Sequence, residues 1–506
     1  MGSENSRGAR PRFLTSLRDY LDELARIGEL VRVEREVDWN LEIGAIIRRC
    51  YETGAPAALF QRIKGIERGF RVLGAPAGVS RRRDRYFARI ALSLGLDAGA
   101  SGRDIVEALV EARQRPGIKP RRIPTGPCKE NVLTGEAANL MRLPVPLIHD
   151  GDGGRYINTW GTVVARTPDG TWTNWGIARV MLLDGRRMTG IVHPLQHLGQ
   201  IHGMWKALGK PMPFAMFQGG PPFAPFVSSM PIPAHVSEVD YMGAYFGKPV
   251  EVVRCETVDL EVPATAEIVI EGHLSDTETA MEGPMGEYAG YLWPGGGSPK
   301  PVYHVTAITH RNDPILPVVA AGEPIEEDHT AQGIPSAAEL LAEIRAAGIP
   351  ATMAWVPLES AQHWLAVTVP ADCRRNLGYD AERLCREIGT LVFEKSKYGA
   401  VIPKILVLND DIDPTNTAEL VWAFATRCHP VHGEIAFDKE ATSPLVAFLE
   451  SSEKQGGRTT KVVYNCLPPD EWGDRMPVRC SFAHNYSREL QERVLANWTA
   501  DGFPDH

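Results

Sequence analysis

Seven residues carry side chains suited to chemistry and sit in short, composed motifs. Asn174 and Arg179 belong to Thr171-Trp-Thr-Asn-Trp-Gly-Ile-Ala-Arg179, His197 follows Gln196, and Glu238 follows Ser228-Ser229-Met230-Pro231. Glu282 and Glu287 enclose Gly-Pro-Met-Gly, and Lys397 precedes Tyr398-Gly399. Asn174, His197 and Glu238 offer an amide oxygen, an imidazole and a carboxylate. That set suits a hard or borderline divalent ion, such as Mn2+ or Mg2+, that also takes phosphate oxygens. Lys397 adds a charge that can reach a phosphate. Carboxyls held close together or partly buried can have one pKa raised towards neutrality, as a proton donor requires. Each residue alone has a plainer reading. Asn174 can cap a turn, His197 can be a satisfied structural histidine, and Glu238 suits the first turn of a helix. Arg179 and Lys397 can be surface cations, and Glu282 and Glu287 can belong to a solvated loop.

The elements that must position these groups are predicted from period and punctuation. Ser16 starts a helix whose apolar face is Leu17, Leu21, Leu24 and Ile27, ended by Gly28. A helix is expected at about 40–53. From about residue 155 the pattern turns to strands, with Tyr156–Arg166 and Thr171–Leu183 joined by Pro168-Asp-Gly170, and Asp184-Gly185 leading to Met188–Val192. Continuous alternation along Thr171–Leu183 puts Asn174 and Arg179 on opposite faces unless a bulge intervenes near Gly176. Val250–Leu260, Ala266–Leu274 and Val302–Thr309 extend the strand pattern. The region reads as an antiparallel barrel or half-barrel, interrupted by helices near 195–208 and 236–246. Ser336-Ala-Ala-Glu339 reads as a capping box opening a connecting helix. Beyond it, strands (Leu365–Thr368, Ile405–Leu408) alternate with helices (about 380–394 and 415–427), an α/β layer, and a last helix spans about 487–499.

Bulk composition narrows the classes. At 506 residues two or three domains are expected. A net charge of -9 argues against a nucleic-acid-binding protein. The eight cysteines are scattered without a CxxC pair, so a disulfide framework and a zinc cluster are not expected, and a cytoplasmic location is. No apolar run is long enough to span a membrane, and the first residues lack a signal-peptide segment and read as a frayed tail. GxGxxG after a strand and GxxxxGK[ST] are both missing, so dinucleotide and P-loop readings lack support.

Taken in order, Asn174-Trp-x-Ile-Ala-Arg179, Gln196-His197, Ser228-Ser-Met-Pro-Ile-Pro233, Glu238, Glu282-Gly-Pro-x-Gly-Glu287, Lys397, Asp410-Asp-Ile-Asp413, Trp422-Ala-Phe-x-Thr-Arg427 and Leu495-x-Asn-Trp498 closely resemble the UbiD family, decarboxylases that use prenylated FMN, and within it the ferulic/cinnamic acid decarboxylase branch. The resemblance covers about residues 150–500. It implies an α+β and α/β multidomain fold, with a split β-barrel cofactor domain flanked by α/β domains. The expected segments are an N-terminal α/β domain (1–125), the barrel (126–330), a connecting helix (331–350), a C-terminal α/β dimerisation domain (351–486) and a C-terminal helix (487–506).

The resemblance also implies roles. Asn174, His197 and Glu238 hold a divalent ion, typically Mn2+, that anchors the cofactor phosphate with Lys397. Ile177, Ala178, Arg179, Gln196, Ser229 and Met230 line the cofactor. Potassium sits at Ser228 and Glu238 with main-chain oxygens of Trp175, Val227 and Met230. Arg179, Glu282 and Glu287 form the catalytic network, with Glu287 donating the proton. The departures from the cinnamate-type pattern fall at His193, Gln332, Ala400 and Ser443, and at Asp328, where threonine is expected; Leu445 is retained. Two bulky groups become small and two aliphatic ones become hydrogen-bonding, so the pocket is expected to take a wider ring with polar atoms, an indole-, pyrrole- or phenazine-type carboxylate. The implied activity is reversible, non-oxidative decarboxylation, with a UbiX-type flavin prenyltransferase supplying the cofactor to a homodimer. A cinnamate- or ferulate-type decarboxylase is the alternative within the family. A flavin oxidoreductase on a similar barrel, or a non-catalytic partner subunit, are the alternatives outside it.

Overall fold

The computed structural model describes residues 10–194, 196–469, 472 and 477–503. The expected N-terminal tail, Leu195 and the last residues of the expected C-terminal segment lie outside them. The helix Leu17–Ile27 forms as its pattern requires. Ser16 accepts from Asp19 N–H, Gly28 closes it with φ 78°, and Leu17, Leu21, Leu24 and Ile27 are buried together. The helix Glu42–Thr53 follows. The N-terminal sheet runs Leu30–Val37, Ala57–Ile63, Arg71–Gly74, then Ile315–Val318. That last strand comes from far downstream and pairs in parallel with Arg71–Gly74, so the chain returns to the N-terminal layer before the connecting helix.

The central sheet follows the order Tyr156–Asn158, Val180–Leu182, Arg187–Gly190, Ser298–His310, Ala266–Glu282, Met212–Gly219, Thr162–Arg166, Thr173–Gly176, with Asn131–Thr134 on Ser298–His310. The continuous strand expected over Thr171–Leu183 is broken in two, and its halves lie near opposite ends of this order. Ile177, Ala178 and Arg179 alone connect them. Four Cα steps reach at most about 14 Å, so the sheet must curl until its two ends nearly meet. The alternation argument for Asn174 and Arg179 therefore does not apply. Val250–Leu260 does not extend this sheet. Glu251–Arg254 instead pairs with Glu261–Pro263 and Arg121–Arg122 in a small separate sheet.

Helices His197–Ala207 and Glu238–Phe246 interrupt the barrel where expected. The capping box at Ser336 is not one: the helix Ile334–Ala346 continues directly from a helical turn over Asp328–Gly333, and Ser336 is fully buried within it. Burial of Ile334, Leu340, Leu341 and Ile344 fixes this helix, overriding the local cap signal. The C-terminal layer is a five-stranded sheet, Met353–Trp355, Trp364–Val369, Lys404–Asn409, Arg458–Asn465, Glu434–Ala441, with helices Ala381–Thr390 and Thr417–Arg427. No helix among the described residues is long and apolar enough to cross a membrane.

Candidate functional site

Two groups of side chains converge on either side of the barrel's closing link. The first uses the strand Thr173–Gly176 and the first residues of two helices. Glu238 opens its helix, is 2% exposed, and accepts the Trp175 N–H through Oε2 at 2.7 Å. His197 opens the other, with Nδ1 3.8 Å from Glu238 Oε1. The Asn174 amide lies between them. In one orientation Oδ1 is 3.1 Å from His197 Nδ1. Turned over, its nitrogen faces Glu238 Oε1 at 3.2 Å and His197 Nδ1 at 3.1 Å while its oxygen accepts from Gly176 N–H. The two patterns go with different His197 tautomers: Nδ1 donates in the first and accepts in the second. On the other ring nitrogen, Lys397 Nζ lies 2.8 Å from Nε2.

Burial pushes the Glu238 pKa up, against the Trp175 N–H and His197, which pull it down. Burial likewise lowers that of Lys397, and Glu238 counters it. A buried carboxylate whose desolvation is incompletely offset, beside an imidazole and an amide oxygen, fits a divalent cation, and Lys397 already brings a positive charge to the same point. The chemistry of this donor set suits an ion that also takes phosphate oxygens.

Of the other expected contacts around this group, Ser228 and Ser229 turn differently. Ser228 Oγ is 3.0 Å from Thr162 Oγ1 in the core, whereas Ser229 Oγ donates back to Pro225 O at 2.7 Å, within its own helix. The Val227 carbonyl accepts Met230 N–H at 3.3 Å, and Met230 is buried. Gln196 is exposed at the N-cap of the His197 helix. Ile177 is half-buried, and the Ala178 carbonyl accepts Asn158 Nδ2 at 2.6 Å.

The second group is a carboxylate–guanidinium–carboxylate array. Arg179 Nε donates to Glu282 Oε1 at 2.8 Å and Nη2 to Oε2 at 3.2 Å, while Nη1 donates to Glu287. Burial by itself would lower the arginine's pKa, but Glu287 and Glu282 raise it further still. Glu282 is not in a solvated loop. It is the last residue of the long strand Ala266–Glu282, opposite Ser298, and is 1% exposed. The loop between those strands carries Glu287, whose side chain is 18% exposed. Its shape depends on both motif glycines. Gly283 adopts φ +88°, and a Cβ on Gly286 would stand 2.7 Å from His149 Nδ1. Gly286 N–H donates to Asp152 Oδ1 and Gly153 N–H to Pro284 O, pinning the loop to the segment before the barrel. Tyr156 escaped the sequence reading: its hydroxyl donates to Glu282 Oε1 at 2.8 Å, across 126 positions. Nothing in its local pattern distinguishes it from any aromatic opening a strand.

The residues expected to line a substrate pocket come from several elements. His193 is half-buried, with a pKa lowered by burial and by Lys300. Asp328 and Gln332 are half-buried on the turn Asp328–Gly333. Ala400 and Ser443 are brought together, with Ser443 N–H donating to Ala400 O at 2.9 Å. Ser443 Oγ accepts Leu445 N–H at 3.3 Å, and Leu445 is 38% exposed.

A curled sheet with the Asn174–His197–Glu238–Lys397 cluster on one side of its closing link and the Arg179–Glu282–Glu287 array on the other defines a multidomain split-barrel protein. Comparison with known proteins places it further. Three family models match in succession: the 3-octaprenyl-4-hydroxybenzoate carboxy-lyase N-terminal domain over 21–109, its Rift-related domain over 121–324 and its C-terminal domain over 329–466. The chain belongs to the UbiD family. It is 45% identical over 489 residues to the pyrrole-2-carboxylic acid decarboxylase of Pseudomonas aeruginosa, covering 96% of this chain and 98% of that one. It is 39% identical over 493 residues to ferulic acid decarboxylase 1 of Saccharomyces cerevisiae, with 96% and 98% covered. Among solved structures, the UbiD-class enzyme HmfF from Pelotomaculum thermopropionicum in complex with FMN matches with a TM-score of 0.80 at 26% identity, covering 96% of this chain and 100% of that one. An evolved dimeric form of HmfF in complex with prenylated FMN matches with a TM-score of 0.77 at 26% identity over the same shares.

Proposed function

We propose that this chain is a prenylated-FMN-dependent decarboxylase of a heteroaromatic carboxylic acid, with a pyrrole- or indole-type ring as the preferred class. The observation that carries it is the Arg179–Glu282–Glu287 array held one short link away from the Asn174–His197–Glu238–Lys397 anchor. A prenylated FMN, when bound, supplies the electron sink for the pair left as CO2 departs. Asn174, His197 and Glu238 would hold its phosphate through Mn2+ or Mg2+, with Lys397 beside it. Ser228 and the carbonyls of Trp175, Val227 and Met230 would hold K+.

The chain's own groups do the rest. Arg179 has five N–H donors, and its carboxylate partners take three; no described residue takes the others, which would serve the substrate carboxylate. Glu282, gripped by Arg179 on one side and Tyr156 on the other, fixes the guanidinium plane. Glu287, which accepts from the same guanidinium, would deliver a proton to the carbon from which CO2 leaves; the reverse transfer would serve carboxylation. The relative named for pyrrole-2-carboxylic acid supports a ring with a polar atom, as do Gln332 and His193 in the pocket. A homodimer, a UbiX-type prenyltransferase as cofactor supplier and a reducing, cytoplasmic setting complete the reading; the described cysteines are all free thiols.

The test is co-expression with a flavin prenyltransferase, mass spectrometry of the bound cofactor, and CO2 release from a panel running from cinnamate to pyrrole-, indole- and phenazine-carboxylates. Equal rates from protein loaded with plain FMN would overturn the cofactor assignment. A preference for cinnamate would overturn the substrate class.

A further inference from the structure

The loop that carries Glu287 is held at the residues on either side of it. Before Glu287, Gly286 N–H donates to Asp152 Oδ1 at 2.9 Å. After it, the Tyr288 carbonyl lies 2.9 Å from His329 Nε2. A carbonyl only accepts, so Nε2 carries a proton. The other ring nitrogen meets two atoms of one residue. Glu326 N–H donates to Nδ1 at 3.1 Å, and Glu326 Oε1 stands 3.1 Å from the same Nδ1. Glu326 Oε2 is already engaged, accepting Asp328 N–H at 2.8 Å. Glu326 and His329 are both fully buried, and Oε1 has no hydrogen-bond donor among the described residues.

The place of one proton decides whether these contacts are compatible. With Glu326 ionised and the ring neutral, two acceptors stand 3.1 Å apart with no proton between them, and a buried carboxylate oxygen lacks a donor. With the ring doubly protonated, Nδ1–H opposes the Glu326 N–H, and an ion pair is buried at the desolvation cost of both charges. With the proton on Oε1, Oε1–H and Glu326 N–H both donate to the Nδ1 lone pair, Nε2–H donates to Tyr288 O, and no donor of the pair is left unmatched. We propose that Glu326, as a neutral carboxylic acid, and His329 are positioning residues for Glu287: Glu326 donates to Nδ1, which fixes the tautomer whose Nε2–H holds the Tyr288 carbonyl. The charged groups facing the pair agree with this. Arg48, from the helix Glu42–Thr53, gives Nη1 to Ala320 O and Nη2 to Glu323 O, not to Glu326. Glu327 and Asp328 come from the pair's own segment, with Glu327 accepting from Tyr51 and from Ala77 N–H, and His363 faces the ring from the C-terminal layer. Burial first, then Asp328 and Glu327, holds the Glu326 pKa well above the usual carboxylate range, with Arg48 opposing. Burial lowers that of His329 to about 4, and Arg48 and His363 push the same way. The pair's effect on turnover rests on the proposed role of Glu287 as proton donor; the proton on Glu326 does not.

Infrared spectra of the apoprotein in H2O and D2O detect protonated carboxyls without any turnover. Wild type is expected to keep a carboxylic-acid band above neutral pH that Glu326→Gln removes; identical bands in the two proteins would leave no proton on Glu326 and overturn the proposal. Nitrogen-15 spectra of histidine-labelled protein should show, at neutral pH, a neutral ring protonated at Nε2 whose signals vanish in His329→Gln; an imidazolium there refutes it as well. In the cofactor-loaded enzyme, Glu326→Gln still offers an N–H to Nδ1 and should turn over close to wild type. Glu326→Leu offers none, and its kcat should fall by up to about 10²-fold as Glu287 loses its placement, at unchanged KM and cofactor content. Equal kcat in all three proteins, or a glutamine variant as slow as the leucine one, sinks the positioning role. Should Glu326→Leu fail to fold, the glutamine variant and the two spectra still decide. If no acid on the panel is decarboxylated while the infrared band and the ring tautomer are as expected, the pair stands and the reaction assignment falls.

Discussion

Replacing Glu238 with glutamine should stabilise the apoprotein and abolish its response to divalent metal, two effects of opposite sign from one change. In the apoprotein the carboxylate is 2% exposed, and an ion so buried costs several kcal/mol even after relaxation. The Trp175 N–H returns about 1.5–3 kcal/mol as a charge-assisted bond. The first helical turn returns about 0.3–1 kcal/mol more. The residue is a net burden of about 1–2 kcal/mol, in line with a pKa that burial drives upward. Glutamine keeps an oxygen for Trp175 N–H and sheds the charge, so the mutant apoprotein should gain about that much, a rise of roughly 1–2 °C in Tm. Wild type should gain about 2.7 kcal/mol from Mn2+ at a hundredfold excess over its Kd, and the mutant almost nothing. Thermal melts of chelated protein with increasing Mn2+, together with elemental analysis, measure both effects. A mutant that melts below wild type as apoprotein and still shifts with Mn2+ would show that Glu238 anchors the helix start and ligates nothing.

Three further outcomes follow from named groups. Glu287→Gln should keep the cofactor and lose decarboxylation by about 10²–10⁴-fold, measured with solvent-deuterium incorporation at matched cofactor content; a loss of only a few-fold would move the donor role to Glu282. Ser443→Phe should depress kcat/KM for bicyclic and tricyclic acids and spare single-ring acrylic acids, because its backbone is locked to Ala400 and a phenyl ring there cannot be carried away; an unchanged ranking across the panel would remove Ser443 from the pocket. Glu339, buried against Arg113 at 3.1 Å, has its pKa raised by burial from 4.5 to about 7 despite that cation. The unfolded chain therefore ionises first, and stability should fall as pH rises from about 4.5 to about 7. Glu339→Gln should flatten that decline, by up to about 3 kcal/mol, as read from denaturant unfolding across the window.

The legible part of this site was its chemistry, and the illegible part was its topology. Asn174, His197 and Glu238 form a donor set by residue type, but each alone has a plainer reading, and it is the order of the motifs that groups them; the structure brings the three side chains together, on helices expected near 195–208 and 236–246. The break at Gly176 was not visible. A strand pattern over Thr171–Leu183 records burial on each side of a pleat but not which neighbour each half pairs with, and closure of the sheet decides that. Glu282 looked solvated because a Gly-Pro turn follows it; its burial comes from Tyr156 and Arg179, both more than a hundred positions upstream. The misread cap at Ser336 has the same origin: a local cap signal lost to the burial of a helix that begins earlier. Asp328 was visible as a substitution, but the tie of its turn to the Glu287 loop, through His329 Nε2 on Tyr288 O at 2.9 Å, is encoded by no spacing.

The division of labour across the fold bears on why relatives with the same core take different acids. Asn174, His197, Glu238, Arg179, Glu282 and Glu287 all belong to the barrel, its connecting loop or helices inserted into it, and the three-residue link through Ile177–Arg179 holds Asn174 close to Arg179, while Lys397 reaches His197 from the C-terminal layer. On the proposed reading, the pocket is completed by Gln332 on the connecting turn and by Ala400, Ser443 and Leu445 from the C-terminal layer. Among the described residues none of them is hydrogen-bonded or ion-paired to Arg179, Glu282 or Glu287, so their size and polarity can change without disturbing that array, although Ala400 shares the turn Lys397–Val401 with the anchor's Lys397.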